Sequence, residues 1–261
     1  MSNNWVLVTG GNRGIGYEVC RNLVQSGRRV LLCSRDAQAG QEAAADIARR
    51  TGRPDACVSL QLDTSSQDSI AALTDTVRQS YDQRVGVLIN NAAIYQSGWT
   101  PEEFDTFKRT NYLGPVALAR QLAPHMTEGG RIVNVSSGFG QQSQLSPAYQ
   151  RAIWGANDLD SLAANVQFIP DDPIGSSIVP CYKVTKNMLC RATQLLANSP
   201  ELRGRGVTCN ACDPGWVRTR MGGSSATGTV EKGASSLLWL IQHPEPSPNA
   251  GFFQYGRPIS W

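Results

Sequence analysis

The sequence predicts an α/β fold, a single doubly wound parallel sheet with helices on both faces. Two observations carry this: Val-, Ile- and Leu-rich runs recur at wide intervals, and the stretches between them have helical spacing. The first run, WVLVT (5–9), is followed by Ile15, Val19 and Leu23 at the spacing of one helix face. RVLLC (29–33) and CVSLQL (57–62) are the next strands, and Ile70, Leu73 and Val77 mark the helix that follows. VGVLIN (85–90), RIVNVS (131–136) and GVTCNA (206–211) complete six expected strands. Right-handed crossovers then place a binding crevice at the carboxyl ends of the strands. Segment 138–180 breaks the rhythm. A structureless loop of that length is unusual, so a helix is expected near Ala148–Val166. MGGSSATGT (221–229) reads as a loop able to close over a ligand, within a substrate loop of about 214–229.

The 261 residues, with no repeat or linker, read as one domain, 1–261, holding an insertion at 138–180. With 24 basic against 21 acidic residues, the net charge of +3 argues against nucleic acid or an anionic membrane surface as partner. No leader or membrane-spanning run is legible, which points to a cytoplasmic protein. Seven scattered cysteines fit a reducing compartment. Cys209 and Cys212, three apart on an expected strand, face opposite sides and suit neither zinc nor redox chemistry. With only His125 and His243 available, no metal site is expected.

The first strand runs into TGGNRGIG (9–16) and then a helix. Gly10, Gly14 and Gly16 there permit a tight turn, close approach to a phosphate and close helix packing, and the helix N-terminus offers free N–H groups to a pyrophosphate. This is the opening of a Rossmann-type nucleotide site. At the end of the second strand, Arg35 and Asp36 stand where an arginine accepts a 2′-phosphate or an acid a ribose 2′-hydroxyl. Arg13 adds a second guanidinium, and two guanidiniums suit a dianion, so NADPH/NADP+ is expected over NADH. Asp36 reads either as the competing hydroxyl ligand or as the cap of the next helix.

In PCYKVTKNML (180–189), Tyr182 and Lys186 are four apart and so share a helix face. Taken alone, the pair is either an acid with its helper or two surface residues. Taken with the other motifs in order, the chain resembles the short-chain dehydrogenase/reductase family. TGGNRGIG resembles its glycine loop, NNAA (90–93) its NNAG, Asn111 its helix asparagine, Ser137 its serine, Tyr182/Lys186 its YxxxK, and DPGWVRT (213–219) its nicotinamide-gripping segment. The resemblance spans about 220 residues.

The resemblance implies the catalytic set Asn111, Ser137, Tyr182 and Lys186. Tyr182 would be the general acid for an alkoxide formed by hydride transfer, with Lys186 and oxidised nicotinamide lowering its pKa from about 10. Lys186 would also hold the nicotinamide ribose, and Asn111 a water for proton resupply. Ser137 would hold the substrate oxygen; of the adjacent Ser136 and Ser137 only one can face the site, and the family pattern selects Ser137. The cofactor is expected on Gly10, Asn12, Arg13, Gly14, Ile15, Gly16, Arg35, Asp63, Asn91, Ala92, Tyr182, Lys186, Pro214, Gly215, Val217 and Thr219. Asp63 equally reads as a helix cap.

Two departures stand out: NNAA replaces NNAG, and Ser137 lies 45 residues before Tyr182, far more than the family's usual spacing. The long insertion, PGWVRT and terminal Trp261 most resemble the monomeric carbonyl reductases, which implies a monomer acting on a small-molecule carbonyl (aldehyde, ketone or quinone). Ile94, Tyr95, Phe139, Trp216 and Met221 are the expected substrate wall, with Trp154 as a further candidate or a core residue. An oxidative alcohol or steroid dehydrogenase and a silent NADP-binding regulator are the alternatives. Cys181, next to Tyr182, leaves two readings: a thiol whose modification blocks the site, or, favoured because no titrating histidine is near in sequence, a quiet small side chain.

Overall fold

In the computed structural model, residues 4–261 are described. The first half of the chain alternates strictly: β1 (Trp5–Thr9), α1 (Gly14–Gln25), β2 (Arg29–Ser34), α2 (Ala37–Thr51), β3 (Cys57–Gln61), α3 (Gln67–Tyr81) and β4 (Val85–Asn90). Then come α4 (Pro101–Lys108), a π turn at Arg109–Leu113, α5 (Gly114–Leu122) and β5 (Met126–Val135). The remainder holds α6 (Pro147–Trp154), α7 (Leu159–Asn165), α8 (Pro180–Ala197), α9 (Pro200–Arg203), β6 (Thr208–Asp213), α10 (Val230–Gln242), β7 (Phe252–Gln254) and β8 (Arg257–Pro258).

The strands form one sheet in the order β3-β2-β1-β4-β5-β6-β7-β8, parallel except for the final β7–β8 pair. Strand order reverses between β1 and β4, which opens a crevice at their carboxyl ends. Register brings the strand ends together: Val8 lies opposite Ile89, Asn90 opposite Asn134, Val135 opposite Cys212 and Asp213 opposite Gln254. Alternate residues of β1 feed opposite cores. Val6 and Val8 pack with Val19, Leu23, Ile47 and Leu237 on one face, and Trp5 and Leu7 with Ile70, Leu73, Leu118 and Leu196 on the other. Cys209 and Cys212 divide between these two cores, as their spacing on a strand requires.

The helix expected over 148–166 is two helices. Gly155 ends α6, and Asp158 starts α7 with a reciprocal capping box to Ser161 that needs extended backbone (φ −146°, ψ 172°), so the helix cannot run through. Strands β7 and β8 are too short for periodicity to reveal. Tyr255 and Gly256 join them with positive φ at both residues, the turn geometry suited to a tight hairpin.

Segment 138–180 covers the outer face of α4, α5 and α8. Tyr149, Ile153, Leu162 and Ile174 bury against Phe107, Tyr112, Val184 and Met188. Lys108 Nζ, half-buried, donates to the carbonyls of Ala163 and Val166 at 2.8 Å each and so caps α7 from α4. Lys108→Met leaves both carbonyls without that donor. The expected loss is about 1–2 kcal/mol in denaturant unfolding with an unchanged m-value.

Candidate active site

Tyr182 and Lys186 are not surface residues. Pro180 opens α8, and one turn in both side chains lie buried (7% and 2% exposed) at the carboxyl ends of β5 and β6. Lys186 Nζ donates to the Val135 carbonyl at 2.6 Å and lies 5.5 Å from the Tyr182 ring centre. Burial pushes the lysine down to about 8, with Cys190 and Asp213 opposing. The phenol is raised above its ordinary value. Burial is the largest cause, the Ser137 hydroxyl opposes it, and Asp213 adds to the rise. The polypeptide by itself therefore moves the phenol opposite to the expected direction, because desolvation outweighs any cationic help.

The two adjacent serines divide as strand geometry requires. Ser136 points inward, its Oγ donating to the Lys186 carbonyl at 3.2 Å beside Cys190 Sγ. Ser137 faces Tyr182 and accepts from the Phe139 N–H at 3.2 Å. Asn111, fully buried in the π turn, clamps the backbone of Ile94: its Oδ1 accepts the Ile94 N–H (2.9 Å) and its Nδ2 donates to the Ile94 carbonyl (3.0 Å). Nδ2 also reaches Thr185 Oγ1 at 3.3 Å. The Asn111 amide is thus engaged in fixing the segment after β4.

At the other end of the crevice, Gly10 has φ +64° and sits against Ala92. A Cβ on Gly16 would lie 2.3 Å from the Gly10 carbonyl oxygen, so only glycine lets α1 start this close to the loop. Thr9 Oγ1 accepts the N–H groups of Asn91 and Ala92, both at 2.9 Å, and Asn91 Nδ2 donates back to the Thr9 carbonyl. The glycine loop and NNAA are one unit. Ala93 keeps negative φ, so the departure from NNAG costs no strain. Thr219 lies against Gly14, while Ile15 and Val217 meet over Gly233, which brings the PGWVRT segment onto the loop. Val217 is itself buried.

Arg13 and Arg35 are exposed at the rim, and neither forms an ion pair among the described residues. Asp36 caps α2 by accepting the Ala39 N–H at 3.0 Å. Asp63 accepts from the Ser65 N–H and hydroxyl, which with Arg35 hold it low against the upward push of burial. Asn12 is half-buried on the glycine loop.

Of the expected substrate wall, Tyr95 and Phe139 stand edge-on to Tyr182, with ring centres 4.9 Å and 6.4 Å away, and Ile94 is held beside them. Trp216 and Met221 are exposed on a loop pinned where Gly228 N–H bonds the Trp216 carbonyl and Arg218 N–H the Gly228 carbonyl. Trp154 packs against Trp261 and beneath Arg191, a structural role rather than a wall. Sequence reasoning missed Asp213. Its signal is an acid in the last position of a buried strand, which needs partners.

Cys181 is fully buried, donates to the Gly98 carbonyl at 3.4 Å, and is pushed up to about 12 by burial. This selects the quiet small side chain over the reactive thiol. Native protein at pH 7.5 is expected to leave Cys181 unlabelled by iodoacetamide over an hour, with labelling only after unfolding, as read by mass spectrometry.

The family model described as short chain dehydrogenase matches residues 4–165. This chain belongs to the short-chain dehydrogenase family. The match ends before α8, but likeness to full-length relatives extends over nearly the whole chain. This short-chain dehydrogenase is 31% identical to (+)-neomenthol dehydrogenase of Arabidopsis thaliana, over 98% of this chain and 97% of that one. It is 32% identical to carbonyl reductase (NADPH) 1 of Homo sapiens, again over 98% and 97%. In fold, it matches salutaridine reductase from Papaver somniferum with a TM-score of 0.82 at 23% identity, over 96% of this chain and 99% of that one.

Proposed function

We propose that this short-chain dehydrogenase reduces carbonyl compounds (aldehydes, ketones or quinones) with NADPH, Tyr182 serving as general acid. The observation that carries the reading is the buried phenol beside the Ser137 hydroxyl and one turn from Lys186, at the carboxyl edge of a parallel sheet along which the glycine cradle after β1 also lies. The carbonyl reductase (NADPH) among the relatives agrees with it.

The residues present fit the dinucleotide. Gly10, Asn12, Gly14, Ile15 and Gly16 would take the pyrophosphate, Asp63 and Ala92 the adenosine half, and Pro214, Gly215, Val217 and Thr219 the nicotinamide amide. Arg13 and Arg35 would grip the 2′-phosphate, with Asp36 held in its cap. When bound, NADPH supplies the hydride. Ser137 orients the substrate oxygen toward Tyr182, whose phenol stays protonated at neutral pH and so donates to the developing alkoxide. Lys186, pushed down to about 8 by burial, is suited to pass on the proton that restores the phenol.

Tyr95, Phe139 and Ile94 form the inner substrate wall, and Trp216 with Met221 the outer one, an apolar lining for apolar carbonyls. Segment 138–180 acts as the insertion covering the α4–α5–α8 face, which leaves a monomer. The test is oxidation of NADPH and NADH side by side with aldehydes, ketones and quinones, alongside the solution mass. NADPH-dependent turnover by a species of single-chain mass is expected; binding of NADPH without turnover of any carbonyl would sink the reading.

A further inference from the structure

Strand β6 ends on a carboxylate that the proposed mechanism does not use. Asp213 is only 5% exposed. A buried carboxylate persists only where donors satisfy it. Its Oδ1 accepts the Gly215 N–H at 2.8 Å, its Oδ2 accepts Gln254 Nε2 at 2.6 Å, and the Gly138 N–H adds to them. Burial pushes the Asp213 carboxyl up, and these three bonds oppose it; all three partners are donors, which suits the ionised, acceptor-only form.

The three donors come from three parts of the site. Gly138 follows Ser137 in the turn after β5, Gly215 lies in the expected nicotinamide-side turn, and Gln254 ends β7. A second set of bonds ties the Pro214 turn to the β7–β8 turn by way of α10: the Asp213 carbonyl accepts from Ser236 Oγ (2.9 Å), Ser236 Oγ accepts the Tyr255 N–H (2.8 Å), and Tyr255 Oη donates to the Pro214 carbonyl (3.0 Å). The carboxylate also acts on the reacting groups, raising the Tyr182 phenol and supporting charge on Lys186. The titratable groups in this field are Tyr182, Lys186 and Cys190 from α8, Cys212 from β6, and Tyr255 from the β7–β8 turn, with Tyr95 facing Tyr182 from the segment after β4.

We propose that Asp213 is a positioning residue of this site: its carboxylate locks the Ser137–Gly138 turn, the Pro214–Gly215 turn and Gln254 into one frame, and it is the counter-charge that keeps Lys186 protonated. The inference rests on the reductase reading for its catalytic meaning and on geometry for its existence. Taking the charge away lets Lys186 lose its proton, and Tyr182 ionise, at lower pH; both changes weaken proton donation from the alkaline side.

The chain has four lysines, Lys108, Lys183, Lys186 and Lys232, so lysine labelled with 13C at Cε gives few enough NMR signals to follow Lys186 directly. In Asp213→Asn the Lys186 midpoint is expected to fall by about one pH unit, and the high-pH limb of NADPH-dependent reduction to move with it. Asp213→Ser removes the same charge with a different side chain, so the same shift is expected and the test survives a poorly folding Asn variant. Gln254→Leu removes a donor but keeps the charge, and should leave the midpoint in place. An unmoved midpoint in the charge-removing variants, or an equal shift in Gln254→Leu, overturns the proposal. A shifted midpoint in a protein that reduces no carbonyl overturns the reductase reading alone.

Discussion

Tyr182→Phe is expected to lower kcat for carbonyl reduction by about 10³-fold or more while leaving the NADPH Kd within about threefold, since positioned general acids contribute about 10²–10⁴-fold. The phenol is the only change. Phe keeps the ring, its edge-on contacts with Tyr95 and Phe139, and the apolar packing of α8. Ser137 is the hydroxyl hydrogen-bonded to Tyr182, and an alcohol is far too weak an acid to take over; the Tyr95 phenol meets Tyr182 edge-on through its ring. Stability should fall by no more than about 1 kcal/mol, because a single hydrogen-bond partner is lost. The measurement is steady-state NADPH oxidation with the best carbonyl found, paired with a fluorescence titration of NADPH and a melting curve. Retention of a tenth of the wild-type kcat would mean that another group donates the proton.

Arg13→Ala combined with Arg35→Ala is expected to weaken NADPH binding about 100-fold and NADH binding no more than about threefold. Each guanidinium removed takes away charge-assisted bonds to a dianion, worth about 1.5 kcal/mol apiece at an exposed position, and about 3 kcal/mol in all corresponds to somewhat over 100-fold. Both arginines are exposed and without ion-pair partners among the described residues, so the fold should be untouched. Asp36 stays in the α2 cap and does not become a new ribose ligand. Side-by-side fluorescence titrations check this, and the NADPH effect should shrink at high salt. Equal losses for the two nucleotides would show that the arginines support the loop and do not read the phosphate.

Much of the site was legible because its signals are local. A glycine loop carrying one arginine between strand and helix, two residues four apart on a helix, and a second arginine at the second strand's end are statements about backbone freedom and short-range spacing. Asp36 left two readings open, and its bond to the Ala39 N–H selects the cap. Asn111 and Asp213 were harder. The Asn111 amide is engaged by the Ile94 backbone, 17 positions away, and the Asp213 carboxylate by Gln254, 41 positions away, so no spacing rule points from one to the other.

By itself the sequence determined the alternating architecture, the placement of the nucleotide cradle and the shared face of Tyr182 and Lys186, because periodicity and glycine content act within a few residues. Only the tertiary structure decided that α6 and α7 are separate, that two short strands close the sheet, and that Cys181 is sealed from solvent. It also decided the direction in which the phenol moves. That direction is set by burial, and burial depends on what distant segments pack over a group, a quantity that no local stretch of chain contains.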